Sequence, residues 1–173
     1  MMRIACALIA GTIARITTSD AQQSPDVRTH SQLRTWGVSG GYGTTYGGFG
    51  GAVDLYIAQS RLSIVLGGGY LPTTTNGGPG TGAVGAGVRG YTAGPRHRGL
   101  LELSFTFLYL TWTRSGSTFF NVHRHYGPGI SGGYQFLATN GFTLLLTAGV
   151  GWVPDLNKLW PTGDLGLGYT WRH

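Results

Sequence analysis

Between Leu101 and Tyr109 the odd positions Leu101, Leu103, Phe105, Phe107 and Tyr109 are apolar, while Glu102, Ser104 and Thr106 between them are polar. A period of two is that of a β-strand whose two faces meet different surroundings. The alternation recurs in seven other segments, and strands are expected at about 33–43, 51–58, 62–71, 81–92, 99–112, 126–137, 141–152 and 163–172. The polar face is small and glycine-rich, so it cannot form the shared dry core of a soluble sandwich. The apolar faces are therefore expected to look outward, into lipid. Strands in that setting must close into a barrel, because an open edge in hydrocarbon leaves backbone donors and acceptors without partners. The expected fold class is all-β, an antiparallel up-and-down transmembrane β-barrel of eight strands.

The connections alternate in length. Tight turns are expected at Gln59-Ser60, Pro95-Arg96 and Ala138-Thr139-Asn140, and longer loops at 44–50, 72–80, 113–125 and 153–162. That asymmetry is the one outer-membrane barrels show, with long loops outside the cell and both termini in the periplasm. Residues paired across a hairpin must share a face. A turn at Gln59-Ser60 pairs Ile57 with Leu62, Leu55 with Ile64 and Val53 with Leu66, all apolar. A turn at Pro95-Arg96 pairs Val88 with Leu103 outward and Arg89 with Glu102 inward. A turn over 138–140 pairs Phe136 with Phe142 and Tyr134 with Leu144. Aromatic residues gather near the strand ends, Trp36, Phe136, Phe142, Tyr169 and Trp171 on one side and Tyr42, Tyr70, Tyr109, Trp112, Tyr126, Trp152 and Trp160 on the other. Two interfacial girdles would band them so.

Composition sharpens this reading. Glycine supplies 32 of 173 residues without collagen's period, only 10% of the chain is charged, and 21 aromatic residues argue against disorder. The N-terminus reads as an export signal over 1–21: Arg3, an apolar run from Ile4 to Ala14, and the small residues of Ser19-Asp20-Ala21. Cleavage after Ala21 removes Cys6 and leaves no thiol. Loss of Arg3, Arg15 and Asp20 leaves ten Lys/Arg against five Asp/Glu, a net of +5 with His neutral. A short flexible lead over 22–32 precedes the barrel domain at 33–173.

The last strand, Asp164-Leu165-Gly166-Leu167-Gly168-Tyr169-Thr170-Trp171, resembles the C-terminal assembly signal of outer-membrane barrels. Its elements are a polar residue, glycine two positions on, and alternating hydrophobic residues near the end, here Asp164, Gly166, Tyr169 and Trp171. Arg172 and His173 follow where bacterial members end on an aromatic residue, a departure that bears on recognition by the insertion machinery. With its eight strands the chain looks like the small barrels of the OmpA/OmpX/OmpW kind over roughly 33–173. The resemblance implies a Gram-negative outer-membrane protein, monomeric, in contact with membrane lipid and lipopolysaccharide, and delivered by periplasmic chaperones to the barrel-assembly machinery.

Three constellations could carry chemistry. Arg89 and Glu102 share the inward face with Asp54, Asp164 and Arg172, in a lumen otherwise lined by small residues such as Gly37, Ser39, Gly85 and Ser131. An ion-pair network plugging the lumen is the expected reading, since eight-stranded barrels are filled by side chains, with a gating element the sharper one. His123 and His125 lie on one side of an extended segment and could share zinc or copper, but two ligands do not make a site. Lipid A deacylases of the PagL type carry a His-x-Ser pair near such a position. Here Gly127 stands two beyond His125, so the nucleophile is missing from that pattern. Arg114, Arg124 and Lys158 fall in the outer loops, where lipopolysaccharide presents phosphates that guanidinium groups match.

A pI near 9.8 raises nucleic-acid binding, but the arginines are scattered and mostly in turns, so no nucleic-acid partner is expected. There is no phosphate-binding Gly-x-x-x-x-Gly-Lys loop and no paired hydrolase carboxylates, and neither cofactor nor catalytic activity is expected. The function expected is structural, adhesive or envelope-maintaining, with passage of small solutes at most. The alternatives are an OmpW-like conduit for hydrophobic molecules, which wants a more apolar lumen than Val65, Leu71 and Leu145 supply, a lipid A-modifying enzyme, and a soluble lipocalin-like barrel, which needs the reversed pattern.

Overall fold

The computed structural model describes residues 34–57, 61–72, 80–115 and 119–172. The expected export signal and lead, and the turn at Gln59-Ser60, lie outside them. Eight strands run antiparallel in chain order: β1 (Arg34–Gly43), β2 (Gly48–Ile57), β3 (Leu62–Leu71), β4 (Thr81–Tyr91), β5 (His97–Ser115), β6 (Phe119–Leu137), β7 (Phe142–Val153) and β8 (Lys158–Arg172). Strand β8 pairs back onto β1, so the sheet closes into a barrel with no free lateral edge along its body.

The alternation of the sequence becomes two faces. Leu55, Ile64, Val88, Leu103, Phe105, Val150 and Leu167 are exposed on the outside, with Leu144 partly so. Gly85, Thr106, Thr143 and Gly166 are buried within, and Ser104 partly. The first two hairpins have the expected register: Ile57 faces Leu62 and Val53 faces Leu66, while Val88 faces Leu103 and Arg89 faces Glu102. The third is displaced by two residues, with Phe136 opposite Leu144 and Tyr134 opposite Leu146. The connection there is a four-residue turn, 138–141, closed by Gly141 at φ +96° and by the Ala138 amide donating to Phe142 O at 2.8 Å. A slip of two preserves the face of every side chain, so the lining is unchanged.

Other expectations need correction. The loops placed at 113–125 and 153–162 are mostly strand. Threonine, valine and aromatic residues from Thr111 to Thr113 and from Phe119 to Val122 favour an extended chain, and β5 and β6 pair out to Ser115 and Phe119. Between β7 and β8 the chain reverses through one 3-10 turn, Pro154–Leu156, and Asn157 in the left-handed region. At these two connections the asymmetry between the barrel ends lies in protruding strands rather than in long loops, while 73–79 of the expected loop at 72–80 lie outside the described residues. A bulge between Phe107 and Tyr109 also breaks the alternation that opens β5. Leu108 turns inward, where its methyl groups lie over Gly127 and Gly151, and Phe107 is buried rather than exposed.

Near the start of β1 and the end of β8 a ring stack covers the seam, Trp36 on Trp171 at 4.0 Å and 8° between planes. Inside, the connection 44–47 does not stay at the rim. Gly47 and Gly48 at φ +66° and +104° turn it back into the barrel, where Tyr46 is fully buried and its hydroxyl lies 3.0 Å from Ser39 Oγ. The Tyr46 ring occupies the space a Cβ on Gly166 would fill. Gly166→Ala should therefore cost about 1–3 kcal/mol by overpacking. In a Tyr46→Ala background the same change should cost almost nothing, because the two sites share one volume. Urea titrations of the four proteins test this; equal costs in both backgrounds would mean that the ring does not pack there.

Candidate functional site

The lumen carries the densest polar chemistry of the described residues. Arg89 on β4 is fully buried, and Glu102 opposite it on β5 is exposed by only 1%. A guanidinium removed from water needs acceptors in fixed directions. Its Nε donates to Glu102 Oε2 at 2.6 Å, and its Nη1 donates to both oxygens of Asp54 on β2, at 2.9 and 3.1 Å. Ser63 Oγ on β3 donates to Asp54 Oδ1 at 3.1 Å and lies 3.1 Å from the Tyr91 hydroxyl. Four consecutive strands are thereby tied to one cation.

The network continues across the lumen through the inserted turn. Thr45 Oγ1 lies 2.8 Å from Glu102 Oε1 and 2.9 Å from Asp164 Oδ2 on β8, and the Thr45 amide donates to Asp164 Oδ1 at 2.9 Å. One hydroxyl has one proton, so Thr45 serves a single carboxylate oxygen at a time. The Asp164 amide donates to Thr147 Oγ1 on β7, and Thr106 Oγ1 donates to the Thr44 carbonyl, which pins the same turn from β5. The expected group of Arg89, Glu102, Asp54 and Asp164 is thus brought together, with Asp164 joined through Thr45 rather than directly. The side chain of Arg172 lies outside the described residues.

Below the network Tyr56, Tyr91, Leu100 and Leu145 form a buried apolar cluster. The cavity left beside Asp54, Tyr56, Arg89, Gln135 and Leu145 measures about 10 Å³, room for one water at most. Arg89 Nη2 and Gln135 Oε1 have no protein partner and belong to residues lining it. Along this path the lumen is blocked by side chains, with Tyr46 as a second layer.

The residues read as an assembly signal have structural duties here. Asp164 is the anchor of the inserted turn, Gly166 accommodates Tyr46, and Tyr169 packs edge-on against Trp171 at 4.9 Å beside the seam. At the other rim, Arg124 Nε donates to Thr81 Oγ1 at 2.6 Å, and Lys158 is exposed at the start of β8. The side chain of Arg114 lies outside the described residues, so the expected basic rim is traced only at Arg124 and Lys158. His123 is exposed, and His125 lies between Thr111 and Asp155. Among the described residues no three His, Cys, Asp or Glu side chains gather in a way that could hold a metal ion.

Thr45 and Tyr46 escape the sequence pattern, which places 44–50 in an outer loop. A strand period says nothing about a turn that folds inward. The available signal was the glycine pair after Tyr46, which permits the positive φ angles of the re-entry. No protein-family model matches the chain, and no curated protein aligns with it significantly.

Arg89→Ala would leave Asp54 and Glu102 buried without their cation and should cost about 3–5 kcal/mol of stability. Thr45→Val, which keeps shape and removes the hydroxyl, should cost about 1–3 kcal/mol. Chemical unfolding in detergent micelles measures both, and a loss below 1 kcal/mol for Arg89→Ala would show that the charges relax to water.

Proposed function

We propose that this chain is an integral outer-membrane barrel of Gram-negative type whose role is structural, adhesive or envelope-maintaining, with a lumen that passes nothing larger than ions. One observation carries the reading: a closed barrel whose exposed strand positions are leucine, valine, isoleucine and phenylalanine, around an interior of charges, hydroxyls and glycine. A soluble barrel has the reverse arrangement, and water would penalise this one at about 25 cal/mol for every Å² of apolar exterior left wet. In hydrocarbon the same exterior costs nothing, and closure satisfies the backbone along the barrel body.

The protruding ends of β5 and β6 would then stand outside the cell, with both chain termini toward the periplasm. Exposed aromatic residues at the two ends, Tyr42, Phe49, Tyr70 and Trp152 against Trp36, Phe142 and Tyr169, fit the two interfacial zones. In this orientation Arg114, Arg124 and Lys158 would meet lipopolysaccharide phosphates, while Asp164, Gly166, Tyr169 and Trp171 would present the assembly signal before closure buries Asp164 and Gly166. A conduit for hydrophobic molecules is disfavoured by the side-chain seal.

Phe105→Arg should destabilise the lipid-inserted protein by about 2–4 kcal/mol at mid-bilayer, measured by reversible unfolding in lipid vesicles. Liposomes loaded with a self-quenched dye or a radiolabelled sugar should retain their contents when the protein is inserted. No cost for Phe105→Arg overturns the membrane reading. Rapid sugar efflux overturns the sealed lumen and makes the protein a transporter.

A further inference from the structure

Above the barrel body, β5 and β6 outlast their neighbours. Pairing of β4 with β5 stops at Gly85 and Thr106, and that of β6 with β7 stops at Gly129 and Gly151, while β5 and β6 continue together to Ser115 and Phe119. The bulge at the base of this extension sets Tyr109 opposite His125 and Thr111 opposite His123. Thr111 and His125 therefore lie on one face as diagonal neighbours, within side-chain reach. Thr111 Oγ1 is 2.9 Å from His125 Nε2. On the other side of the ring, His125 Nδ1 is 3.2 Å from Asp155 Oδ2 on the 3-10 turn between β7 and β8. Three separate elements thus place a hydroxyl, an imidazole and a carboxylate in line.

The order of these groups has chemical content. An ionised carboxylate only accepts hydrogen bonds, so Asp155 holds the proton on Nδ1 and leaves Nε2 as an acceptor for the Thr111 hydroxyl. That is the arrangement by which a base activates a weak oxygen nucleophile while a third group fixes its tautomer. His125 is shielded, with its side chain 12% exposed, whereas Asp155 stands at 69%. Beside the imidazole lies an aromatic wall, Tyr109 at 6.1 Å from the His125 ring and Trp160 at 4.4 Å from Tyr109.

We propose that Thr111, His125 and Asp155 form an acyl-transfer site for ester substrates, with Thr111 as nucleophile, His125 as general base and acid, and Asp155 as positioning residue. As Thr111 Oγ bonds to the ester carbonyl carbon, its proton passes to His125 Nε2. The bond from that carbon to the alcohol oxygen breaks, and His125 returns the proton to the leaving alkoxide. Water then attacks the acyl-threonine with His125 again taking and returning a proton, so one ester and one water give one carboxylic acid and one alcohol. The aromatic wall above an apolar exterior selects an ester with a long acyl chain. That choice of substrate class rests on the membrane reading, whereas the chemistry of the three groups does not. Activity would add to the barrel's structural role, using a hydroxyl from the facing strand, since β6 itself carries Gly127 two positions beyond His125.

The test uses the full chain refolded in detergent micelles, with para-nitrophenyl octanoate as substrate and an alkyl fluorophosphonate as covalent probe. Mass spectrometry should find the phosphonyl group on Thr111, and turnover should fall by about a hundredfold or more in Thr111→Val and His125→Gln. Thr111→Ser should retain labelling and turnover. Asp155→Asn should lower kcat by about tenfold or more with KM unchanged, and Asp155→Glu should recover part of the loss. Wild-type turnover no faster than that of Thr111→Val, or label distributed away from Thr111, overturns the proposal and leaves the three residues as a tether between β6 and the 154–157 turn. Either result leaves the vesicle insertion and flux results of the barrel untouched, so the two readings fail separately.

Discussion

Everything in the interior depends on one geometric constraint: an eight-stranded barrel is just wide enough for side chains to meet across it. A guanidinium inside such a tube cannot hold a hydration shell, so the chain must supply its acceptors. Asp54 and Glu102 do so from strands on either side of Arg89, with Asp54 reaching across β3. The surplus carboxylate oxygens then need donors of their own, and these come from Ser63 and from the inserted Thr45. The 44–47 turn is thus drawn into the lumen by the electrostatic requirement of a residue on another strand. Tyr46 accompanies it and fills volume that the glycines leave.

This coupling explains why the glycine content and the charge network belong together. Small residues on the inner face let the turn and its ring enter without pushing the strands apart. Had the lumen been lined with larger side chains, the turn would have stayed outside, and the carboxylates of Glu102 and Asp164 would have lacked the Thr45 hydroxyl and amide. Volume and charge are solved by the same four residues, 44–47. The mouth below the β5–β6 extension is filled differently, by Leu108 rotated inward at a bulge.

Much of the fold was legible in the sequence because alternation and hairpin symmetry are both arithmetic. Val88 with Leu103 and Arg89 with Glu102 follow from the position of one turn, and the pairing carried the candidate site with it. What was lost depended on geometry that has no period. The turn after β6 is centred on Asn140 instead of Thr139, and that single step shifted a register by two, invisibly to the faces. The bulge at Phe107 reversed an alternation that had looked unbroken through Tyr109. Strands β5 and β6 ran on through a segment whose polar residues suggested a loop, because β-branched and aromatic neighbours outweighed them. Thr111 and His125 were brought together only by that bulge and that extension, so a pattern confined to one strand could not reveal them.

The seam between β1 and β8 bears on the order in which the molecule can form. Every other strand pair joins sequence neighbours, and such hairpins can form as soon as both arms exist. Trp36 and Trp171 stand at opposite ends of the described chain, and their stack has no local precursor. Contacts of such long sequence separation carry the largest loop-closure entropy and are the slowest to form. Until that last pairing is made, the sheet has two open edges and the lumen network lacks Asp164. Sealing of the barrel and completion of its interior are therefore a single late event, and a nascent sheet that has not closed is the species most exposed to aggregation.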